Sequence, residues 1–368
     1  MNLSEIRKNL HQIPELGFEE FKTQKFILSI LKQFPQLKIH TFPFTGIVAE
    51  YSVGKGDYKL IRADMDALPI EEETDCDFRS QHPGKMHACG HDVHMTILLG
   101  LIEKVIQADL QQNILFVFQP AEEGKGGAKK MLETGFFDSF SISEAFALHV
   151  SGSLPLGTIS SKAGIFFANT EEVDVIFKGK SAHVAFPETG KDALKAGIDF
   201  LRIVEENLQK NFTIPDTIRC VFGKMEAGTV RNAIPADCKL EGTIRAFFDD
   251  DLRKIKEILE FSGKEIAEKN GVQTKIKYLS YYKAVKNEKT LYQKLKSVCR
   301  KLNLKFEEAE AVFTGEDFGY FSEKYPGLLF WLGANQGEKQ DLHSSSFLPD
   351  EKAIPIGVDV FFKLIKSE

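Results

Sequence analysis

Apolar positions in the first part of the chain fall into two alternating rhythms. Leu3–Leu10 and Phe18–Phe34 carry them at helical spacing, whereas Lys59–Ala63, Asn113–Phe118 and Ala145–Val150 are apolar runs of strand length. The run Ile114 to Phe118 is apolar on both faces, which suits a central parallel strand covered by helices on each side. Asp92 stands where an N-cap would open a helix carrying Val93, Ile97, Leu98, Leu101, Ile102 and Val105 at helical spacing. The middle of the chain reads differently: strand Glu172–Lys178, helix Asp192–Leu208, strands Ile218–Met225 and Lys239–Phe247, helix Leu252–Ala267, strand Lys275–Tyr282. That β-α-β-β-α-β order is the split βαβ arrangement of ferredoxin-like domains. A helix at Leu291–Leu302 and a buried strand at Leu328–Leu332 then resume the first rhythm. The pattern predicts an α/β fold: a mostly parallel-sheet domain over 1–168 and 284–368, interrupted by an inserted ferredoxin-like α+β domain over 169–283.

Composition narrows the classes of function. A chain of 368 residues is long enough for two cores. The net charge is −6 and the lysines are scattered among glutamates, which argues against nucleic acid as a partner. No apolar run approaches the roughly 20 residues a membrane span needs. The N-terminus enters an amphipathic helix with no signal-peptide pattern, so the expected compartment is the cytoplasm. Five cysteines, an odd number without a Cys-x-x-Cys pair, fit a reducing compartment better than a disulfide framework. Cys76, Cys220, Cys238 and Cys299 read as ordinary small residues, but Cys89 stands in a polar segment.

Open α/β sheets bind ligands at the carboxyl ends of their strands. Here those ends hold Asp64-Met65-Asp66, then His87-Ala88-Cys89-Gly90-His91-Asp92-Val93-His94, then Gln119-Pro120-Ala121-Glu122-Glu123-Gly124, then His149, with Asp341-Leu342-His343 in a late loop. Singly, each has an ordinary explanation: a lone His at a strand end is usually a hydrogen-bonded structural residue, and Glu-Glu after a strand a solvated turn. Together they bring acid, thiol and imidazole groups to one side of the sheet. Buried charges there are costly unless paired or metal-bound. Imidazole, thiolate and carboxylate are ligands that zinc, manganese or cobalt accept. A thiolate between two cations can bridge them, and of two neighbouring glutamates one can ligate while the other moves a proton.

At these residues the chain resembles the di-metal aminoacylase and carboxypeptidase superfamily, in its amidohydrolase branch. The likeness runs from Leu10-His11-Gln12-Ile13-Pro14-Glu15-Leu16-Gly17 through Arg62–Pro69, Met86–Asp92, Gln119–Gly124, Gly179–His183, Gly228–Pro235, Gly242–Arg245 and Gly315–Phe318 to His343. Within the branch it looks most like the N-acetyldiaminopimelate deacetylases. The resemblance implies metal ligands Cys89, His91, Glu123, His149 and His343, with Cys89 as the bridge between two ions, and Glu122 as proton shuttle. It implies that Asp66 orients a ligating group. Asp64 stands where other branches carry a metal-binding histidine. The inserted domain is expected to act as lid and to form a homodimer, with His183 reaching its own or a partner's site to hold an oxyanion. Asn232 and Arg245 are the residues expected on the substrate carboxylate, which the forked guanidinium suits. Where many relatives have Pro-His after the lid histidine this chain has Pro187-Glu188, which loosens any reading of lid contacts.

The expected activity is therefore metal-dependent hydrolysis of an N-acetyl amide, with N-acetyl-L,L-diaminopimelate the favoured substrate and lysine biosynthesis by the acetyl route its setting. One alternative is a broader N-acyl amino acid hydrolase of the hippurate type. Another, of a different class, is an inert metal-binding or interaction protein on the same fold, against which the intact Glu122 argues.

Overall fold

The computed structural model describes residues 1–212, 217–335 and 337–366. The chain divides into two compact units: Met1–Phe166 with Val285–Ala311 and Glu316–Glu368, and Phe167–Ala284 with Val312–Gly315.

The first unit is built on a ten-stranded sheet. Its main path runs Leu37–Thr41, Ile47–Tyr51, Asn113–Gln119, Tyr58–Asp64, Ile142–Pro155, Gly327–Asn335, Val285–Asn287, Gly164–Phe167. The central pairings, from Asn113–Gln119 to Gly327–Asn335, are parallel. Asn113–Gln119 is buried at every position, as its two-sided apolar run requires. An antiparallel pair, Leu37–Thr41 and Ile47–Tyr51, extends the sheet at one edge and is absent from the elements read off the sequence. Its outer strand is nowhere fully buried, so it lacks the apolar run that marks a core strand.

Helix His91–Gln107 lies against the sheet with almost its whole length buried. Its N-cap is not Asp92 but Gly90, at φ 83°. A β-carbon on Gly90 would lie 2.4 Å from Val150 Cγ2, so only glycine permits this turn. The Asp92 carboxylate faces inward instead, where Arg7 Nε at 3.1 Å and His11 Nδ1 at 3.0 Å hold it. Phe116, Phe118, Phe146 and Phe330 fill the core, each contributing roughly 1.5–3 kcal/mol of burial. No helix among the described residues is long and apolar enough to cross a membrane.

The second unit holds a four-stranded antiparallel sheet in the order Gln273–Tyr282, Asn169–Lys178, Asp237–Ala246, Ile218–Ala227. With helices Ala193–Asn211 and Asp249–Asn270 this is the predicted ferredoxin-like topology. Alternation along Asn169–Lys178 turns Val173, Val175 and Phe177 inward, into one cluster with Phe200, Leu252 and Leu259. Asp192 caps its helix by accepting from the Lys195 N–H at 3.0 Å. The reading from sequence places Val312–Gly315 in the first domain, but they pack with the second unit. Phe313 stacks on Phe247 at 4.4 Å, takes the Arg219 guanidinium over its ring at 4.1 Å, and its carbonyl accepts from Arg245 Nη1 at 2.7 Å.

Candidate metal centre

The polar groups at the strand ends of the first unit meet. Cys89 Sγ lies 3.3 Å from His149 Nε2 and 3.4 Å from His343 Nε2, and His343 Nε2 lies 3.3 Å from Glu123 Oε1. Two triads whose ligand atoms fall within 4.8 Å of one another, Cys89-His91-His149 and Cys89-Glu123-His343, share the thiol. A third, His91-Glu122-Glu123, ties in the remaining glutamate.

Backbone contacts fix which nitrogen each imidazole turns inward. His149 donates from Nδ1 to its neighbour's carbonyl, Val150 O at 2.8 Å, leaving the Nε2 lone pair toward Cys89. His91 donates from Nδ1 to Asp66 O at 2.8 Å. Its Nε2 is buried without a hydrogen-bond partner, 3.6 Å from Asp64 Oδ2. Asp66 also accepts the Glu123 N–H at 2.9 Å, so one residue orients two members of the cluster. The His343 N–H donates to Ala88 O at 2.9 Å, holding that residue at φ 64°. Ala121, at φ 55°, precedes the glutamate pair, and its N–H donates to Glu20 Oε1 at 2.8 Å. Left-handed non-glycine residues cost on the order of 1–3 kcal/mol and gather at functional sites; two of them border this one.

Electrostatics favour positive charge here. Burial and the carboxylates of Glu123 and Glu122 push the Cys89 thiol well above its ordinary range. Burial opposes charge on His91, but Asp64 and Asp66 outweigh it and lift that imidazole to about 10. Burial, with Glu316, Glu123 and Asp317 nearby, raises Glu122 well above the usual carboxyl range, while Arg62 works against the rise. A cation answers all three: it stabilises a thiolate, takes the place of the proton on the unpartnered His91 Nε2 and offsets the crowded acids. Cys89, His91, Glu123, His149 and His343 thus fit a divalent metal and could hold one or two ions.

Asp64 forms a further triad within 4.8 Å with His91 and His94, and protein donors already engage it. Its carboxylate accepts from Arg62 Nη1 at 2.7 Å and His94 Nδ1 at 2.6 Å. His94 Nε2 in turn accepts the Val150 N–H at 2.9 Å, so both ring nitrogens are engaged and the ring is neutral. His94 was legible as a partner of His91, since i and i+3 share a helix face. Sequence reasoning assigned no role to the buried network behind it. Arg62 reaches Asp317 Oδ1 at 2.8 Å and Glu316 Oε1 at 3.0 Å, and Gln119 Oε1 accepts from Arg62 Nε at 2.8 Å. Strand periodicity, which sets Arg62 and Asp64 on one face, was the available signal.

His183, Asn232 and Arg245 lie in the second unit. His183 and Asn232 are exposed, and their two segments are joined by an antiparallel bridge between His183 and Ala233, with the Val184 N–H donating to the Asn232 carbonyl at 3.2 Å. Arg245 is half-buried and its guanidinium donates to Phe313 O.

A parallel-sheet domain with thiol, imidazole and carboxylate donors around a buried glutamate defines a metal-dependent amidohydrolase. The chain belongs to peptidase family M20/M25/M40, whose model matches residues 60–367. It is 40% identical to the N-acetyldiaminopimelate deacetylase of Oceanobacillus iheyensis over 100% of this chain and 99% of the relative. It is also 40% identical to the enzyme of that name from Bacillus subtilis, over 96% of this chain and 95% of the relative. Among solved structures, the Bacillus subtilis YXEP protein, described as a dinuclear metal binding peptidase of the M20 family, is 33% identical with a TM-score of 0.84, covering 99% and 96% of the two chains. A protein from methicillin-resistant Staphylococcus aureus superposes with a TM-score of 0.92 at 28% identity, over 100% of this chain and 96% of the other.

Proposed function

We propose that the protein removes the acetyl group of N-acetyl-L,L-diaminopimelate, releasing acetate and the free diamino acid, with Cys89, His91, Glu123, His149 and His343 as the residues that would hold two divalent ions. One observation carries the chemistry: five donors from four separate segments converge beside a buried glutamate whose carboxyl is raised above its ordinary range. Relatives of this name, 40% identical along the whole chain, support the choice of substrate. Ions of the zinc, manganese or cobalt class would supply Lewis acidity to the amide carbonyl and acidify the attacking water. Glu122 takes a proton from that water as its oxygen bonds to the carbonyl carbon. It returns the proton to the amide nitrogen as the C–N bond breaks. Asp66, through its carbonyl and carboxylate, holds His91 and the Glu123 turn in place during this exchange.

In this reading the second unit serves as lid and homodimer contact, His183 holds the oxyanion, and Asn232 and Arg245 receive the substrate carboxylate. Arg245 would have to release Phe313 O or share its donors to do so. Five free cysteines support a reducing, cytoplasmic setting, and lysine biosynthesis by the acetyl route follows from the substrate.

The test is acetate release from N-acetyl-L,L-diaminopimelate by the purified chain, beside hydrolysis of hippurate. Chelation should abolish release, and zinc, manganese or cobalt should restore it. Full activity in metal-free protein overturns the mechanism; faster turnover of hippurate replaces the substrate with a broader N-acyl class.

A further inference from the structure

A second constellation lies in the first unit, sharing no ligand atom with the triads above. His11 Nε2 stands 3.2 Å from Glu72 Oε1, and Cys76 Sγ stands 3.7 Å from the same oxygen. All three atoms fall within 4.8 Å of one another. Ligand bonds of about 2.0–2.2 Å to nitrogen and oxygen and about 2.3 Å to sulfur give tetrahedral edges of about 3.4 Å for N···O and about 3.6 Å for S···O. The two measured separations lie close to those edges. A salt bridge joins the imidazole and the carboxylate, and the thiol adds a long contact to the same oxygen, so nitrogen, oxygen and sulfur converge.

The surroundings are those of a metal-binding histidine. Asp92 Oδ2 accepts from His11 Nδ1 at 3.0 Å, fixing the ring so that Nε2 faces outward to Glu72 and Cys76; Arg7 Nε braces Asp92 from behind at 3.1 Å. The Ser80 N–H donates to Glu72 Oε2 at 2.6 Å, and Thr74 Oγ1 donates to Cys76 Sγ at 3.3 Å. The His11 and Glu72 side chains are buried, and Cys76 is half-buried at the edge of the cluster. Glu71, Glu73, Asp75 and Asp77 lie on the same loop, where Lys8 pairs with Asp77 and Arg79 with Asp75, while Arg7 faces His11 across Asp92. Burial opposes charge on His11, yet Asp92 and Glu72 outweigh it and raise the ring to about 9. The pocket stabilises positive charge at this point.

We propose that His11 Nε2, Glu72 Oε1 and Cys76 Sγ form a separate site for one divalent cation of the zinc class, with Asp92 as the carboxylate behind the histidine. Nothing in the deacetylation described above uses these three side chains, and the site stands whether or not that substrate is correct.

The experiment uses the full chain with zinc alone as probe. Metal-free protein is brought to saturating zinc, dialysed against buffered free zinc and analysed for metal, as wild type and as Cys76→Ala. In parallel, iodoacetamide alkylation of Cys76 is followed by peptide mass spectrometry, with and without zinc, in wild type and in a Cys89→Ala background. Wild type should retain one zinc equivalent more than Cys76→Ala, at unchanged deacetylase turnover. Zinc should slow Cys76 alkylation at least tenfold in both backgrounds. Equal zinc content in the two proteins, with Cys76 alkylated at the same rate whether zinc is present or not, overturns the proposal.

Discussion

Replacing Gly90 by alanine tests how the centre is held open for its ligands. The residue sits between Cys89 and His91 at φ 83°, where an L side chain costs about 1–2 kcal/mol in backbone strain. Its new β-carbon would meet Val150 Cγ2 at 2.4 Å. Val150 is buried, β-branched and anchored in a central strand, so relief requires a backbone shift costing about 1–3 kcal/mol. The sum, about 2–5 kcal/mol, corresponds to a fall of roughly 4–20 °C in the melting temperature of a unit this size. Val150 also donates its N–H to His94 and accepts from His149, so the same shift disturbs two imidazoles at the centre. Melting measured in chelator isolates the strain; melting with added zinc then reports how much metal stabilisation is lost as well. A Gly90→Ala protein that melts within 2 °C of wild type in chelator, and gains as much from zinc, refutes the reasoning.

Glu122→Gln removes the proton acceptor but keeps the shape of the turn; turnover should fall by about 10²–10⁴ with zinc content unchanged, read by acetate release and metal analysis. Glu20→Ala strips the acceptor from the Ala121 N–H, leaving a buried donor unpaired at a cost of about 1–3 kcal/mol, and should lower kcat more than it raises KM. In chelator, stability should fall as pH rises. His11 has an ordinary pKa of 6.5 and a folded value of about 9, so its contribution, on the order of 3 kcal/mol, is complete below 6.5 and gone above 9. Urea unfolding of wild type across that window should show the decline, and His11→Gln should lessen it, leaving the part that His91, raised to about 10, contributes. Glu72, held at about 2 by His11 and its hydrogen bonds despite burial, acts at the other end, with stability lost as pH falls from 4.5 through 2.

What the sequence made legible is what a short window can hold. Cys89, His91, Glu122, Glu123 and His149 interrupt apolar patterns at strand ends, where a polar residue needs a reason. The six elements of the inserted unit announce themselves by clean changes of period. Asp92 was misread because its place before an apolar helix suits a cap, while its partners Arg7 and His11 lie over 80 residues upstream. The edge strand Leu37–Thr41 escaped notice because an exposed edge needs no apolar run. Val312–Gly315 carries no local mark of its unit; its distant contacts with Phe247, Arg219 and Arg245 assign it. The Arg62 network was hidden for the same reason: its acids Glu316 and Asp317 come from the far end of the chain.

The His343 imidazole stands against a thiol 254 positions earlier, and this has a bearing on biogenesis. At about 5–20 residues per second, a ribosome needs roughly 13–50 s after polymerising Cys89 to reach that histidine. During this interval the nascent polypeptide carries an acid-crowded thiol lacking its last donor. In the proposed centre, an ion that uses His343 would be loaded only when synthesis is nearly complete.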